Sequence, residues 1–113
     1  MAETKNRTVG LQLTTANQDI YTVPANYEAE IDNIYINNAS TSSVTFSLDW
    51  YDAQNTTFYT LAETIELLPN SLLQINDDPL WLFKGDKLRG LASANSAVTI
   101  TVKVKETYLP QRS

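Results

Sequence analysis

The stretch DDPLWLFKGDKL at residues 77–88, followed by a small polar turn and then VTITVKVKETY at Val98–Tyr108, decides the fold class of this chain. It combines an Asp/Pro start, a short apolar run, a Gly-Asp turn and a long alternating strand, and no helical period separates these parts. We therefore interpret residues 77–108 as one β-hairpin. In its last strand the valines and Ile100 are expected to point inward, with threonines and lysines outward.

The apolar run LWLF at residues 80–83 carries large apolar side chains on both faces of a strand. Because strands of this composition are usually buried on both faces, we expect this run to be covered on both sides and Trp81 to belong to the core. Asp77 and Asp78, just before the run, are candidate calcium ligands through their carboxylate oxygens. Asp beside Pro is ordinary turn chemistry, however, and the spacing of a calcium-binding loop is missing, so we interpret both as turn residues.

Alternation of apolar and polar residues at a period of two, which is typical of half-buried strands, continues through the rest of the chain. Residues 7–15 and 20–23 are short neighbouring strands, which we expect to pair with each other. Between residues 27 and 37 the phase of the apolar positions slips by one residue at Asp32 and Asn33. One residue too many between two alternating halves indicates a β-bulge.

The clearest strand covers residues 44–51, in which every second side chain is large and apolar. Residues 57–65 are less cleanly sided, which favours a strand near a sheet edge, and a helix over residues 62–68 is the competing interpretation. We count about eight short strands joined by short turns. This spacing predicts an all-β fold, an antiparallel β-sandwich or jelly-roll-like barrel, in one domain over residues 1–113 with short flexible tails.

The composition excludes several classes of function. The 113 residues include neither cysteine nor histidine, which removes thiolate zinc sites, cysteine nucleophiles and the commonest general base. A net charge of −5 argues against binding the phosphate backbone of nucleic acids. No apolar run approaches the roughly 20 residues of a membrane span, and no signal peptide is recognisable, so we expect no membrane partner and synthesis in the cytoplasm.

Carboxylates are the remaining candidates for catalysis, because glycoside hydrolysis needs two of them at a set separation. The candidate residues for such a pair are Glu28, Glu30, Glu63 and Glu66. Glu28 and Glu30 alternate with apolar neighbours, so the simpler interpretation is the solvent face of a strand. We predict no catalytic residue, no cofactor and no metal site.

Tyrosines at polar-side or strand-end positions give a more informative pattern, because a phenol can pack while its hydroxyl contacts water. We predict an interface role for Tyr35, Tyr51, Tyr59 and Tyr108. Tyrosine is enriched at protein interfaces, which favours an assembly subunit. The alternative is a small carbohydrate-binding module that uses exposed Tyr and Trp side chains.

Two groups of segments resemble small virion proteins of tailed bacteriophages. The first is IYTVPA at residues 20–25, followed by IYINN at residues 34–38 and a Ser/Thr loop. The second is DPLWL at residues 78–82, then GDKL at residues 85–88 and ASA at residues 92–94. The resemblance covers roughly residues 19 to 108, and its motifs are an order of strands and turns. This chain departs from the pattern in two places, at Asn26, where the family often has glycine, and in the aromatic strand end Trp50-Tyr51.

The resemblance implies a non-enzymatic structural protein of a virion, assembled in the cytoplasm of a host bacterium. It implies a capsid decoration or cement protein that binds the major capsid protein, with a neck, tail or fibre component as the alternative. The implied partners are the major capsid protein or other virion proteins, with self-association as a further expectation. No active-site residue carries over to this chain.

Overall fold

The computed structural model describes residues 4–75 and 80–109 of the chain. Within them it contains nine β-strands, and the helix considered for residues 62–68 is wrong, because an eleven-residue strand runs through most of that segment. The strands are β1 (Thr4–Gln12), β2 (Gln18–Thr22), β3 (Tyr27–Asn38), β4 (Val44–Asp52), β5 (Thr57–Leu67), β6 (Leu72–Ile75), β7 (Leu80–Leu82), β8 (Lys87–Ala92) and β9 (Val98–Tyr108).

The strands form two antiparallel sheets with a nested pairing. Sheet A has the order β1-β9-β3-β6, with β7 also paired to β3, and sheet B has the order β2-β8-β4-β5. The first strand thus pairs with the last, the second with the one before it, and so on inward to the β4–β5 hairpin. One long hairpin folded over itself in this way is a jelly roll, which confirms the predicted all-β fold class.

The nested pairing corrects two expectations about partners. Residues 77–108 do not form one hairpin, because β8 lies between β2 and β4 in sheet B whereas β9 lies between β1 and β3 in sheet A. For the same reason β1 pairs with β9 and not with β2. The sequence predicts about eight strands, and the structure describes nine. The ninth arises because β6 and β7 pair with two successive parts of β3 and together occupy one strand position in sheet A.

The core lies between the two sheets and follows the predicted alternation. Phe46 and Leu48 on β4 are each 1% exposed, and the inward series of β9 from Val98 to Val104 is buried. The predicted bulge is confirmed by a register shift between Ile31 and Asn33. The edge position expected for residues 57–65 is also confirmed, because β5 is the terminal strand of sheet B.

The expected burial of Trp81 is wrong. Its side chain is 52% exposed, and Phe83 is 57% exposed. Among the described strands β7 pairs only with β3, so it lies at the edge of sheet A, where Leu82 points into the core and Trp81 points outward opposite Glu30. Nothing in the described part of the chain covers this outer face. Asp77 and Asp78 lie outside the described residues.

Gly90 on β8 is required by a close approach between strands. A Cβ atom there would lie 2.9 Å from the Ser47 carbonyl oxygen and 2.9 Å from the Leu48 side chain. We expect Gly90→Ala to lower the free energy of unfolding by about 1–3 kcal/mol, because the backbone of β4 cannot move aside without strain. Gly10→Ala is the control, since nothing lies within 4 Å of its added Cβ. Urea unfolding of both variants measures the difference, and equal losses would contradict the packing argument.

Candidate interaction surfaces

The terminal strands β5 and β6 lie on the same side of the sandwich. The turn that joins them is held by hydrogen bonds from Asn38, a fully buried side chain whose amide donates to the carbonyl oxygens of Leu67 at 3.2 Å and Leu68 at 3.1 Å. Ser71 Oγ also donates to the Leu68 carbonyl at 2.6 Å. The end of β3 therefore holds the short connection between the two edge strands, and on the opposite side residues 13–17 form the short connection between β1 and β2.

Large apolar side chains are exposed along this side. We call them the apolar edge, and they are Leu61, Ile65, Leu68, Leu72, Ile75 and Trp81, which are 37% to 61% exposed. Apolar groups concentrated at one place on a surface usually mark an interaction site. Trp81 and Leu72 point outward from sheet A, whereas Leu61 and Ile65 lie on β5 in sheet B. Sequence reasoning missed Trp81 as a surface residue because the run LWLF has no polar position.

The four tyrosines predicted at an interface do not form one patch. Tyr35 points outward from sheet A and lines a shallow depression together with Leu72, Thr99 and Thr101. Tyr108 lies at the end of β9 and packs against Tyr27, with 5.4 Å between the ring centroids. These two positions lie near opposite ends of β3, as the pairing of Tyr35 with Thr101 and of Tyr27 with Tyr108 shows.

The other two tyrosines belong to sheet B, and their rings are already in contact with neighbours. Tyr51 packs on Phe58 at 4.6 Å, and the Arg89 guanidinium lies 3.5 Å from the centre of the Phe58 ring. Tyr59 stacks on Trp50 at 5.1 Å. A sugar ring needs a free aromatic face, so this geometry does not favour a glycan platform at Trp50 and Tyr51.

A buried carboxylate connects three strands at one end of the sandwich. Glu106 continues the inward series of β9 and is fully buried, and it accepts a hydrogen bond from the Tyr21 hydroxyl across the core. Arg7 Nη1 lies 3.5 Å from Glu106 Oε2, and Lys5 Nζ lies 3.7 Å from Oε1. These four residues, which we call the Glu106 brace, connect β1 and β2 to β9. Position 106 is in phase with the inward valines, so its burial could have been read from the alternation.

Tyr21 in the Glu106 brace makes the free energy of unfolding depend on pH in the alkaline range. Burial, the hydrogen bond to Glu106 and the charge of that carboxylate raise the pKa of Tyr21 above its ordinary value. The folded state therefore keeps this proton above about pH 10, where the unfolded chain loses it, and stability falls as pH rises. Ionisation of Tyr21 in the unfolded chain thus lowers the free energy of unfolding by up to about 1.4 kcal/mol for each pH unit in this range.

We expect Tyr21→Phe to be less stable than the native chain at pH 7 by about 1–3 kcal/mol, because Glu106 loses its hydrogen bond. The difference should narrow between about pH 10 and pH 12, since the variant lacks the ionising phenol. Urea unfolding at several pH values measures this. A difference that stays constant over the range would contradict the assigned role of Tyr21.

The candidate carboxylates are divided between the two sheets. Glu28 and Glu30 lie on β3 in sheet A, whereas Glu63 and Glu66 lie on β5 in sheet B. A hydrogen bond to the Asp32 carboxyl, followed by desolvation and the charge of Asp32, raises the pKa of Glu30. Among residues 4–75 and 80–109 there is no cluster of three or more acidic side chains arranged to hold a metal ion. No helix in that part of the chain is long and apolar enough to span a membrane.

Comparisons with solved structures find the same fold in several assembly proteins. No known family model matches the chain, and no curated protein matches its sequence. A protein of the disulfide-linked pili of Bacillus endospore appendages aligns with a TM-score of 0.57 at 13% identity, over 97% of this chain and 89% of that one. A chain from the acid-stable capsid of Helicobacter pylori bacteriophage KHP30 gives a TM-score of 0.56 at 12% identity, over 98% and 95%.

A third similar structure is the virus-like particle of extra small virus from the prawn Macrobrachium rosenbergii. Its TM-score is 0.53 at 11% identity, over 97% of this chain and 81% of that one. At these identities the likeness concerns the fold. The chain therefore shares its two-sheet architecture with a pilus protein and with proteins of viral particles.

Proposed function

We propose that this chain is a non-enzymatic structural protein of a bacteriophage virion, which decorates or cements the capsid by binding the major capsid protein lattice. The observation that carries the proposal is the outward face of sheet A at its edge, where Leu72 is 61% exposed beside Tyr35 and Trp81, farther along the same edge opposite Glu30, is 52% exposed. We call these three residues the Trp81 face. Tryptophan and tyrosine are typical anchors of protein interfaces and are enriched there relative to the rest of the protein surface.

The fold supports the same proposal. A jelly roll that occurs in a phage capsid and in a virus-like particle is suited to packing in a regular array. Many copies bound to a repeating lattice also hold well through small interfaces, because each neighbouring contact adds to the avidity. On this outer face Glu30 lies opposite both Trp81 and Lys105, so charges of both signs surround the exposed tryptophan, and the matching capsid surface is expected to offer an apolar pocket with a polar rim.

Quantitative mass spectrometry of purified virions tests the proposal. A decoration protein should be present in a copy number comparable with that of the major capsid protein. A few copies per particle would replace decoration with a neck, tail or fibre position, and absence from intact particles would overturn the virion role.

Trp81→Ala tests the surface itself. We expect the variant to bind capsids about 30-fold more weakly, which corresponds to ~2 kcal/mol for an interface anchor. Its free energy of unfolding should fall by about 1 kcal/mol or less, because half of the side chain is already exposed. Phe58→Ala on the opposite sheet, which removes an aromatic ring that is 43% exposed, is the control and should bind capsids normally. Equal binding by native protein and Trp81→Ala, measured by co-sedimentation with capsids, would exclude this face.

A further inference from the structure

Charged residues are segregated across the sandwich. The sequence contains no lysine or arginine between residues 8 and 83. Within the described strands, every basic side chain lies on β1, β8 or β9, and all acidic ones except Asp19 and Glu106 lie on β3, β4 or β5. In sheet A the basic strands β1 and β9 therefore lie beside the acidic β3, and in sheet B the basic β8 lies beside the acidic β4 and β5, while Asp19 on β2 is paired with Lys87.

The acidic end of this gradient coincides with part of the apolar edge. On β5, the exposed Leu61 and Ile65 alternate with the exposed carboxylates of Glu63 and Glu66, and we call these four residues the β5 edge. A β-bulge at Thr64, whose φ is 52° and whose N–H bonds to Ser47 Oγ, interrupts the strand. Bulges and charges discourage the addition of a further strand, so contacts at this edge are expected to be made by side chains.

The basic end lies at β1, on the opposite side of the molecule. Lys5 and Arg7 are 59% and 53% exposed, and we call these two residues the β1 edge. They face the single buried carboxylate of Glu106, so the pair retains a net positive charge. β9, the neighbouring strand, adds the exposed Lys103 and Lys105.

We infer that a second copy of this chain docks its β1 edge against the β5 edge of the first. Two β5 edges cannot meet without bringing four glutamates together, and two β1 edges would bring four cations together, and like charges in contact oppose association. Only unlike edges complement each other. Because they lie on opposite sides of the sandwich, the contact is head-to-tail and leaves a free edge at each end for further copies.

Sedimentation velocity of the purified chain tests this inference. The native protein should form species larger than a dimer as its concentration rises, and about 0.5 M salt should weaken the association because the attraction is screened. The variant Glu63→Lys/Glu66→Lys should remain monomeric. Glu28→Lys/Glu30→Lys changes the charge equally on the outer face of sheet A and should associate like the native chain. A native chain that stays monomeric, or a control impaired as much as the β5-edge variant, would overturn the inference.

A mixing experiment distinguishes head-to-tail from two-fold contacts. The variant Lys5→Gln/Arg7→Gln/Glu106→Gln neutralises the β1 edge without leaving the buried carboxylate unpaired. This variant and Glu63→Lys/Glu66→Lys each retain one intact edge, so we expect monomers when they are separate and a heterodimer that does not grow when they are mixed. Dimers of either variant alone would overturn the head-to-tail arrangement, and so would a mixture that stays monomeric while both variants give the circular dichroism spectrum of the native chain.

The inference concerns the isolated chain and does not rest on the proposed virion role. Absence from virions would leave self-association untouched, and a monomeric chain would leave the binding of capsids through the Trp81 face untouched. The virion role is tested on purified virions, and self-association is tested on the purified chain.

Discussion

Phe46→Ala is expected to lower the free energy of unfolding by about 3–5 kcal/mol, the range for removing a buried aromatic ring. Phe46 lies in the first half of β4, between β5 and β8, and is 1% exposed. β8 is held by ladders to β2 and to β4, so the surroundings of the ring can close the cavity that it would leave only in part. Urea denaturation of the purified variant gives the measurement.

Phe58→Ala is the control for this prediction. Phe58 has the same ring on the adjacent strand β5, but it is 43% exposed and packs against the side chains of Tyr51 and Arg89. Its removal should cost about 1 kcal/mol or less, because little apolar area is lost and solvent already reaches the ring. If the two variants lost equal stability, the assignment of the core to the space between the sheets would be wrong.

Lys5→Ala/Arg7→Ala is expected to lower the free energy of unfolding by about 2–3 kcal/mol. Removing both cations leaves the fully buried Glu106 carboxylate with the Tyr21 hydroxyl as its hydrogen-bond partner among the described residues. Removing one partner of a buried ion pair typically costs about 3–5 kcal/mol. We expect a smaller loss here because Lys5 and Arg7 are more than half exposed, so solvent already screens their attraction to Glu106.

A third substitution shows whether the buried charge is the cause. Adding Glu106→Gln to Lys5→Ala/Arg7→Ala should restore about half of the lost stability, because the amide oxygen can still accept from Tyr21 and no charge remains buried. Urea denaturation of the native chain, Glu106→Gln, Lys5→Ala/Arg7→Ala and the triple variant completes a thermodynamic cycle. If Glu106→Gln destabilised the double variant further, the cations would act through packing of β1 and not through the carboxylate.

The period-two alternation determined most of the secondary structure. It placed β4 and β9 with their inward faces, located the bulge near Asp32 and put β5 at an edge, as the structure confirms. These features depend on neighbouring residues along one strand. Extending the same alternation by one step would also have found the buried Glu106.

The candidate surfaces were less accessible to sequence reasoning. The prediction of interface tyrosines stays a prediction, because the four residues occupy separate places and no measurement addresses them. Trp81 was expected in the core for a physical reason that was sound but incomplete: a strand with two apolar faces is buried only if other elements cover both of them. At an edge of sheet A that cover is missing within the described residues.

The sequence by itself therefore determined that this chain is an all-β protein without cysteine or histidine chemistry, and which face of each main strand is apolar. Only the tertiary structure decided which strands are partners. The strand ladders join residues far apart in the chain, such as Thr4 and Thr107, and local periodicity carries no information about such pairs. For the same reason the segregation of charge, the buried Glu106 brace and the exposed Trp81 face emerged only once β1 was placed beside β9 and β7 at the edge of sheet A.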